Sequence, residues 1–210
     1  MARLLFVTMT SLDGYVADTS GGFEWAAPDP EVHAFVNDLS RGIGTFVCGR
    51  RLHEVMRYWD TAPTSVASGD GDDERADPAD PADLADPEDP EDAAVMADFA
   101  RIWQAADKVV HSRSLESVSS PRTRLERSFD PAALARYVAE ADRDVSIGGP
   151  TLAAEALRAG IVDEVHVLRS PVIVGGGTAA LQDGIRLPLA LLEARSFAGG
   201  TTYSRYAVRR

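Results

Sequence analysis

"DVSIGGPTLAAEALRAG", residues 144–160, is the stretch from which the rest of the chain is read. Val145 and Ile147 make a buried-looking β run that stops at Gly148 and Gly149, and Pro150 then opens an alanine- and leucine-rich helical pattern. Proline suits the first helical turn, where its missing N–H has no consequence, and the two glycines allow a sharp turn with no side chain over the helix N-terminus. A strand that hands over to a bare helix N-terminus presents free N–H groups and the positive end of the helix dipole, an arrangement suited to anions. The same residues also read as an ordinary strand-to-helix turn of an α/β protein, so the remainder of the chain has to decide.

Working outward, strands and helices alternate. "RLLFVTM" reads as a hydrophobic strand and "SLDGYVA" as a loop with Asp-Gly turn chemistry. "PEVHAFVNDLSRG" places Val32, Phe35, Val36 and Leu39 on one helical face and ends at Gly42. "GTFVCG" is a short buried strand, and "RRLHEVMRYW" is a helix with Leu52, Val55, Met56 and Trp59 inward. Helix, strand, helix and strand follow in "AAVMADFARIWQAA", "DKVVHSR", "DPAALARYVAEA" and "DVSIGG". "DEVHVLRSPVIVGGG", "LALLEARSFAG" and "TTYSRYAV" close the chain as β, with a hairpin turn at Gly199 and Gly200. The pattern predicts an α/β fold: a mixed, mostly parallel sheet with helices on both faces and an antiparallel C-terminal hairpin.

The 210 residues suit one domain, 1–210, with an insertion. The net charge of −12 is local: between Asp70 and Asp92 stand twelve acids against Arg75 alone, and the rest of the chain is near neutral. That acidic, Asp-Pro-rich segment, at about 62–92, is read as an extended surface insertion, because a residue before proline is held out of the helical region. No basic stripe exists to neutralise phosphates along a duplex, so a nucleic-acid partner is not expected. Cys48 is the single cysteine, which excludes an internal disulfide and suits a reducing cytoplasm. The short apolar run at the N-terminus reads as a first strand, and no apolar stretch is long enough to span a bilayer, so no membrane partner is expected. His33, His53, His111 and His166 stand on separate elements without ligand spacing, so no metal site is expected.

In sheets of this kind ligands bind beyond the carboxyl ends of the strands. Three such ends carry anion-suited groups. At "CGRRLHEV", Gly49 ends a strand and Arg50 and Arg51 open a helix, where two cations oppose the dipole unless an anion offsets them or surface carboxylates pair with them. At "VVHSRS", Ser112 and Arg113 follow a strand. The third is "IGGPTL". Three phosphate-suited ends on one sheet point to a dinucleotide, and arginines in place of the ribose-binding acid favour a 2′-phosphate, hence NADP over NAD. The G-x-G-x-x-G spacing of the Rossmann fingerprint is not present.

"SLDGYVA", "GRRLHEVMRYW", "VHSRSL", "SIGGPTLAAEALRAGIVDEVHV" and "PVIVGGGT" occur in this order, and with them the chain resembles the dihydrofolate reductase-like family. The branch resembled is the C-terminal reductase domain of bacterial riboflavin biosynthesis, over nearly the whole chain apart from the acidic insertion. The resemblance implies a dihydrofolate reductase-like fold binding NADPH along the strand ends. Gly49, Arg50 and Arg51 would hold the 2′-phosphate side and the pyrophosphate, and Ser112 and Arg113 would flank the adenine ribose. Gly148, Gly149, Pro150, Thr151 and Leu152 would take the pyrophosphate on the helix N-terminus. Met9, Ser11, Asp13 and Gly14 would border the nicotinamide. A homodimer joined through the C-terminal β region is also implied.

Two departures stand out. Folate reductases carry a hydroxyl residue where Leu52 stands, and their proton-relaying acid has no clean match, with Asp29 and Glu31 both near its place. Asp13 and Glu31 are the candidate catalytic carboxylates. No fused zinc deaminase is expected, since its H-x-E and P-C-x-x-C pattern is missing from the sequence. The expected activity is NADPH-dependent reduction of a small heterocyclic substrate, most like 5-amino-6-(5-phosphoribosylamino)uracil reductase. Dihydrofolate reduction and nucleotide binding without catalysis are the alternatives.

Overall fold

The computed structural model describes residues 1–66 and 89–209. Most of the acidic segment lies outside the described residues. Its final Asp-Pro step does not: Asp89 caps a helix and Pro90 is its first residue. The insertion read at 62–92 therefore overlaps folded structure at its C-terminal end. The reason is that Asp-Pro is also a helix start, with the carboxylate accepting a first-turn N–H and proline tolerated at N1. The device recurs at Asp29-Pro30 and Asp130-Pro131, where the Asp side chains accept from the amides of Val32 and Ala132 at 2.8 and 2.9 Å.

In chain order the elements are β1 (Leu4–Thr10), β2 (Tyr15–Ala17), α1 (Pro30–Arg41), β3 (Ile43–Gly49), α2 (Arg50–Met56), α3 (Pro90–Ala105), β4 (Asp107–His111), β5 (Thr123–Glu126), α4 (Pro131–Glu140), β6 (Asp144–Gly148), α5 (Pro150–Arg158), β7 (Glu164–Arg169), β8 (Thr178–Ala179), β9 (Leu189–Ser196) and β10 (Thr202–Val208). Eight strands form one sheet in the order β5-β4-β3-β6-β1-β7-β10-β9. The first six of these run parallel, and β10 pairs antiparallel with both β7 and β9. The expected mixed, mostly parallel sheet with an antiparallel hairpin is what the chain forms.

Strand alternation divides the core. Leu4 and Phe6 of β1 join Val145, Ile147, Val165 and Val167 under α4 and α5. Val7 and Met9 face the other way, toward Val32, Phe35, Val36 and Leu39 of α1 and toward Leu168 and Tyr203. Helices thus cover both faces, and α1 uses the apolar stripe read from its sequence.

Four local readings change. "SLDGYVA" contains β2, which pairs with β8 as a separate ribbon. "SPVIVGGGT" is mostly irregular after β7 ends at Arg169, because Pro171 and three glycines with positive φ cannot continue a ladder. The "RRLHEVMRYW" helix is α2 followed by a 3-10 turn over Arg57–Asp60, and its most buried residue is His53, which the inward face named from the sequence omits. β5, an edge strand of only four residues beside β4, is not read from the sequence.

Candidate functional site

The parallel strands all end on one edge of the sheet. Across it stand Ser112 and Arg113 after β4, Gly49 as the last residue of β3 with Arg50 after it, Gly148 as the last of β6 with Gly149 after it, Thr10 as the last of β1 with Ser11 after it, and Ser170 after β7. Three interstrand steps from β4 to β1 cover about 14 Å.

The stretch at residues 144–160 folds as read, but its two glycines serve different needs. Gly149 caps α5 at φ 86, ψ 127, backbone that L side chains seldom adopt, and a Cβ there meets nothing within 4 Å. Gly148 is required by a neighbour: a Cβ on it would lie 2.5 Å from Leu52 Cδ2 of α2. No side chain caps α5, and Pro150 has no N–H, so the amides of Thr151 and Leu152 are first-turn donors without intrahelical acceptors. The Leu152 side chain packs in the core under α5, so only its backbone can face a ligand.

Of the arginine pair, Arg50 bonds Glu54 one turn on at 2.9 Å, both side chains being 43% exposed. Arg51 is exposed and makes no ion pair among the described residues. Ser112 is buried, and its hydroxyl accepts from the amides of Ser114 and Leu115 at 3.2 and 3.1 Å, closing its own turn. Arg113 is exposed beside it.

At the β1 end, Ser11 is fully buried, with its hydroxyl accepting from the Tyr15 amide at 3.0 Å. Thr10, which the sequence reading passed over, is 1% exposed, and its hydroxyl oxygen has no partner among the described residues. Met9 packs beside the α1 cluster. Gly14 turns at φ 89 and its carbonyl accepts from Ala180 N at 2.9 Å.

Both candidate carboxylates are engaged elsewhere in the chain. Asp13 accepts from the amides of Val174 and Gly175 at 3.2 and 2.8 Å, and the Ser11 hydroxyl with these amides holds its carboxyl below the usual range. Glu31 accepts from Arg195 at 3.2 Å and from the Ala198 amide at 3.0 Å, which ties α1 to the β9–β10 turn. Asp29, the other acid near that place, is the α1 N-cap.

Behind Leu52 lies an apolar cavity of about 150 Å³ between the sheet, α1, α2 and α3, lined by Val7, Val36, Leu39, Met56, Phe99 and Trp103 among others. Cys48 also borders it, and burial pushes its thiol up to about 12, so it stays protonated. Among the described residues no group of His, Cys, Asp or Glu side chains is placed to hold a metal ion, and no helix is long and apolar enough to cross a membrane.

The family model of the RibD C-terminal domain matches residues 2–203. No curated protein matches the chain. Among solved structures, a protein from Shewanella sp. PV-4 named for riboflavin biosynthesis aligns over all of both chains at 20% identity and a TM-score of 0.68. A diaminohydroxyphosphoribosylaminopyrimidine deaminase/5-amino-6-(5-phosphoribosylamino)uracil reductase from Thermotoga maritima aligns at 17% identity and a TM-score of 0.60, over 99% of this chain and 57% of that one. Dihydrofolate reductase from Enterococcus faecalis, in a complex with NADP(H), aligns at 12% identity and a TM-score of 0.59, over 99% of this chain and 97% of that one. At such identities the likeness is one of fold, and the fold is dihydrofolate reductase-like.

Proposed function

The chain belongs to the RibD C-terminal domain family, a family of reductases of riboflavin biosynthesis, and from that membership we propose that it reduces a small heterocyclic substrate with NADPH, most like the reduction of 5-amino-6-(5-phosphoribosylamino)uracil. The observation that carries the reading is the carboxyl edge itself. A bare helix N-terminus behind a positive-φ glycine stands beside an exposed arginine pair, and an apolar cavity opens behind the same strand ends.

The residues fit the cofactor. Thr151 and Leu152 offer backbone N–H groups to a pyrophosphate, and the open space over Gly149 lets it approach. Arg51 is free for a 2′-phosphate, and Arg50 reaches one by leaving an exposed pair with Glu54 that holds it weakly. Bound there, NADPH supplies a hydride from C4 of its nicotinamide. The chain's own part is orientation and exclusion of water. Met9 and Gly14 stand at the nicotinamide end, and the cavity walls from Val7, Val36 and Met56 suit a flat ring.

A second reading, nucleotide binding without catalysis, draws on one observation: Asp13 and Glu31 are both occupied by amides or arginine. Dihydrofolate reduction needs a free acid on α1 and is favoured by nothing here. Turnover of NADPH with a panel of pyrimidines and pterins separates the three. For the cofactor, Arg51→Ala should weaken NADPH by about 1.5–3 kcal/mol, the range for a hydrogen bond to a charged group, and leave NADH almost unchanged. Equal affinity of the wild type for both cofactors would refute the 2′-phosphate assignment.

The reading extends to a homodimer and a cytoplasmic setting. β9 is an edge strand that exposes Leu189, Leu191 and Leu192, an arrangement suited to pairing with a second copy. The single cysteine, Cys48, is buried and leaves the fold with no internal disulfide to maintain, which is compatible with a reducing compartment. A monomer by light scattering at micromolar concentration would contradict the dimer.

A further inference from the structure

We propose that the cavity behind Leu52 selects a single uncharged ring that carries a polar atom for Ser146 and Ser40, with any phosphate of the ligand left outside on the carboxyl edge. The inference rests on reading that edge as the cofactor site, and it names the class of molecule held beyond it. The cavity lies on the face of the sheet that α1, α2 and α3 cover. Gly148, the last residue of β6, lines its end nearest the carboxyl edge. Ser146, on the same face of β6 one pleat repeat earlier, lines it about 7 Å deeper. Glycine and serine leave room at the two positions of β6 where larger side chains would fill it.

The lining has two unlike parts. Most of it is apolar, with the rings of Phe46, Phe99 and Trp103, and no charged side chain stands among the described residues that line it. The Trp103 indole N–H already donates to Asp60 at 2.8 Å. Against this apolar wall stand two hydroxyls. Ser146 is 7% and Ser40 8% exposed, and neither side chain has a hydrogen-bond partner among the described residues. A serine within a helix ordinarily points to solvent or bonds back to the carbonyl one turn earlier. Ser40 does neither. A buried hydroxyl without a partner is destabilising, so two of them on one cavity wall are groups whose partner the chain itself does not supply.

Size and charge then set the ligand class. A cavity of about 150 Å³ admits a benzene-sized ring, and two fused rings need more room than that. An ionised group finds no counter-charge inside and stays out. Apolar walls with a few placed polar groups are the usual composition of a small-molecule site. Leu52 closes the cavity against Gly148, where a Cβ would lie 2.5 Å from its Cδ2. Arg50 and Arg51 directly precede it in α2, so one helical turn sets an apolar side chain on the cavity and two exposed cations beside it. Ring and anion are thereby sorted to different places.

The test uses the whole chain, with uracil, benzene and pterin as probes titrated against the methyl NMR signals of Leu52 and Met56. Uracil and benzene should shift both signals, and pterin should not. Ser146→Ala should weaken uracil by about tenfold and leave benzene unchanged. Its urea midpoint should stay at or above that of the wild type, because the hydroxyl it removes has no partner in the free protein, whereas a merely structural hydroxyl would lower the midpoint on removal. Unchanged uracil affinity in Ser146→Ala overturns recognition by the hydroxyl. Pterin bound as tightly as uracil overturns the single-ring class. Absence of binding by both uracil and benzene overturns the ring site, whether or not NADPH binds. Ring binding by a wild type that fails to bind NADPH overturns the cofactor reading instead and leaves the ring site standing.

Discussion

Alanine at Gly149 and alanine at Gly148 should destabilise the protein by different mechanisms, although the two sites are adjacent. At Gly149 the backbone has φ 86, and a Cβ finds open space, so the whole penalty comes from the dihedral. Non-glycine residues held in such regions cost about 1–3 kcal/mol. Taking about 2 kcal/mol, the melting temperature of a chain this long should fall by about 4–8 °C. At Gly148 the backbone is ordinary, and the penalty is contact with Leu52 Cδ2 at 2.5 Å, against about 3.5–4.0 Å for carbon atoms at rest. Leu52 lines the cavity of about 150 Å³ and can swing into it, so the cost reduces to one strained rotamer, about 0.5–1.5 kcal/mol. Urea unfolding of a double-mutant cycle with Leu52→Ala distinguishes them. Leu52→Ala should erase the effect of Gly148→Ala and leave that of Gly149→Ala untouched. The reasoning fails if Gly149→Ala is as stable as the wild type, or if Leu52→Ala rescues it. In parallel, Gly149→Val directs a branched side chain into the space assigned to the pyrophosphate and should abolish NADPH binding. A variant that binds NADPH normally would leave both glycines with structural work only.

All four histidines, His33, His53, His111 and His166, are held below their ordinary pKa, burial being the first cause in each. The native state therefore binds fewer protons than the unfolded chain. The stability this gives is complete above about pH 6.5 and is lost as pH falls through the lowered native values. Calorimetric scans should show the melting temperature dropping between pH 7 and pH 5, and a flat profile would refute this. His166 adds most structure to that window: carboxylates only accept, so its Nε2–H donates to Glu164 at 3.0 Å and its Nδ1 accepts from Tyr203 OH at 2.8 Å. Asp29→Ala and Asp130→Ala should each lower stability by about 1 kcal/mol in urea melts through loss of an N-cap, and no change in either would refute the cap. Deleting residues 70–86 should leave a cooperative melt, since the stretch holds one large apolar residue, Leu84. Extending the deletion through Asp92 should destabilise α3 by removing its cap and first turn.

What the sequence by itself determined is what short-range physics writes. Period-2 and period-3.6 patterns placed the β runs and the α1 stripe, proline and glycine marked the β6–α5 handover, and alternation of elements implied the parallel sheet. A strand that must end before a helix begins also tells where the carboxyl edge lies, so Gly49, Arg50, Ser112 and Gly149 could be set on one rim before any coordinates. Tertiary structure decided what each polar group does there. Asp13 finds its acceptor role with amides 161 and 162 positions along the chain, and Glu31 with Arg195 and Ala198, 164 and 167 away. Nothing in the residues around either acid signals those partners. Gly148 looks identical to Gly149 in sequence, yet only the packing of α2 on β6 brings Leu52 against it. β2 and β8, of three and two residues, carry too little pattern to be seen, and each exists because the other is held beside it. Local propensity is a property of neighbours in the chain, whereas the occupancy of a carboxylate or the room beside a glycine is a property of neighbours in space.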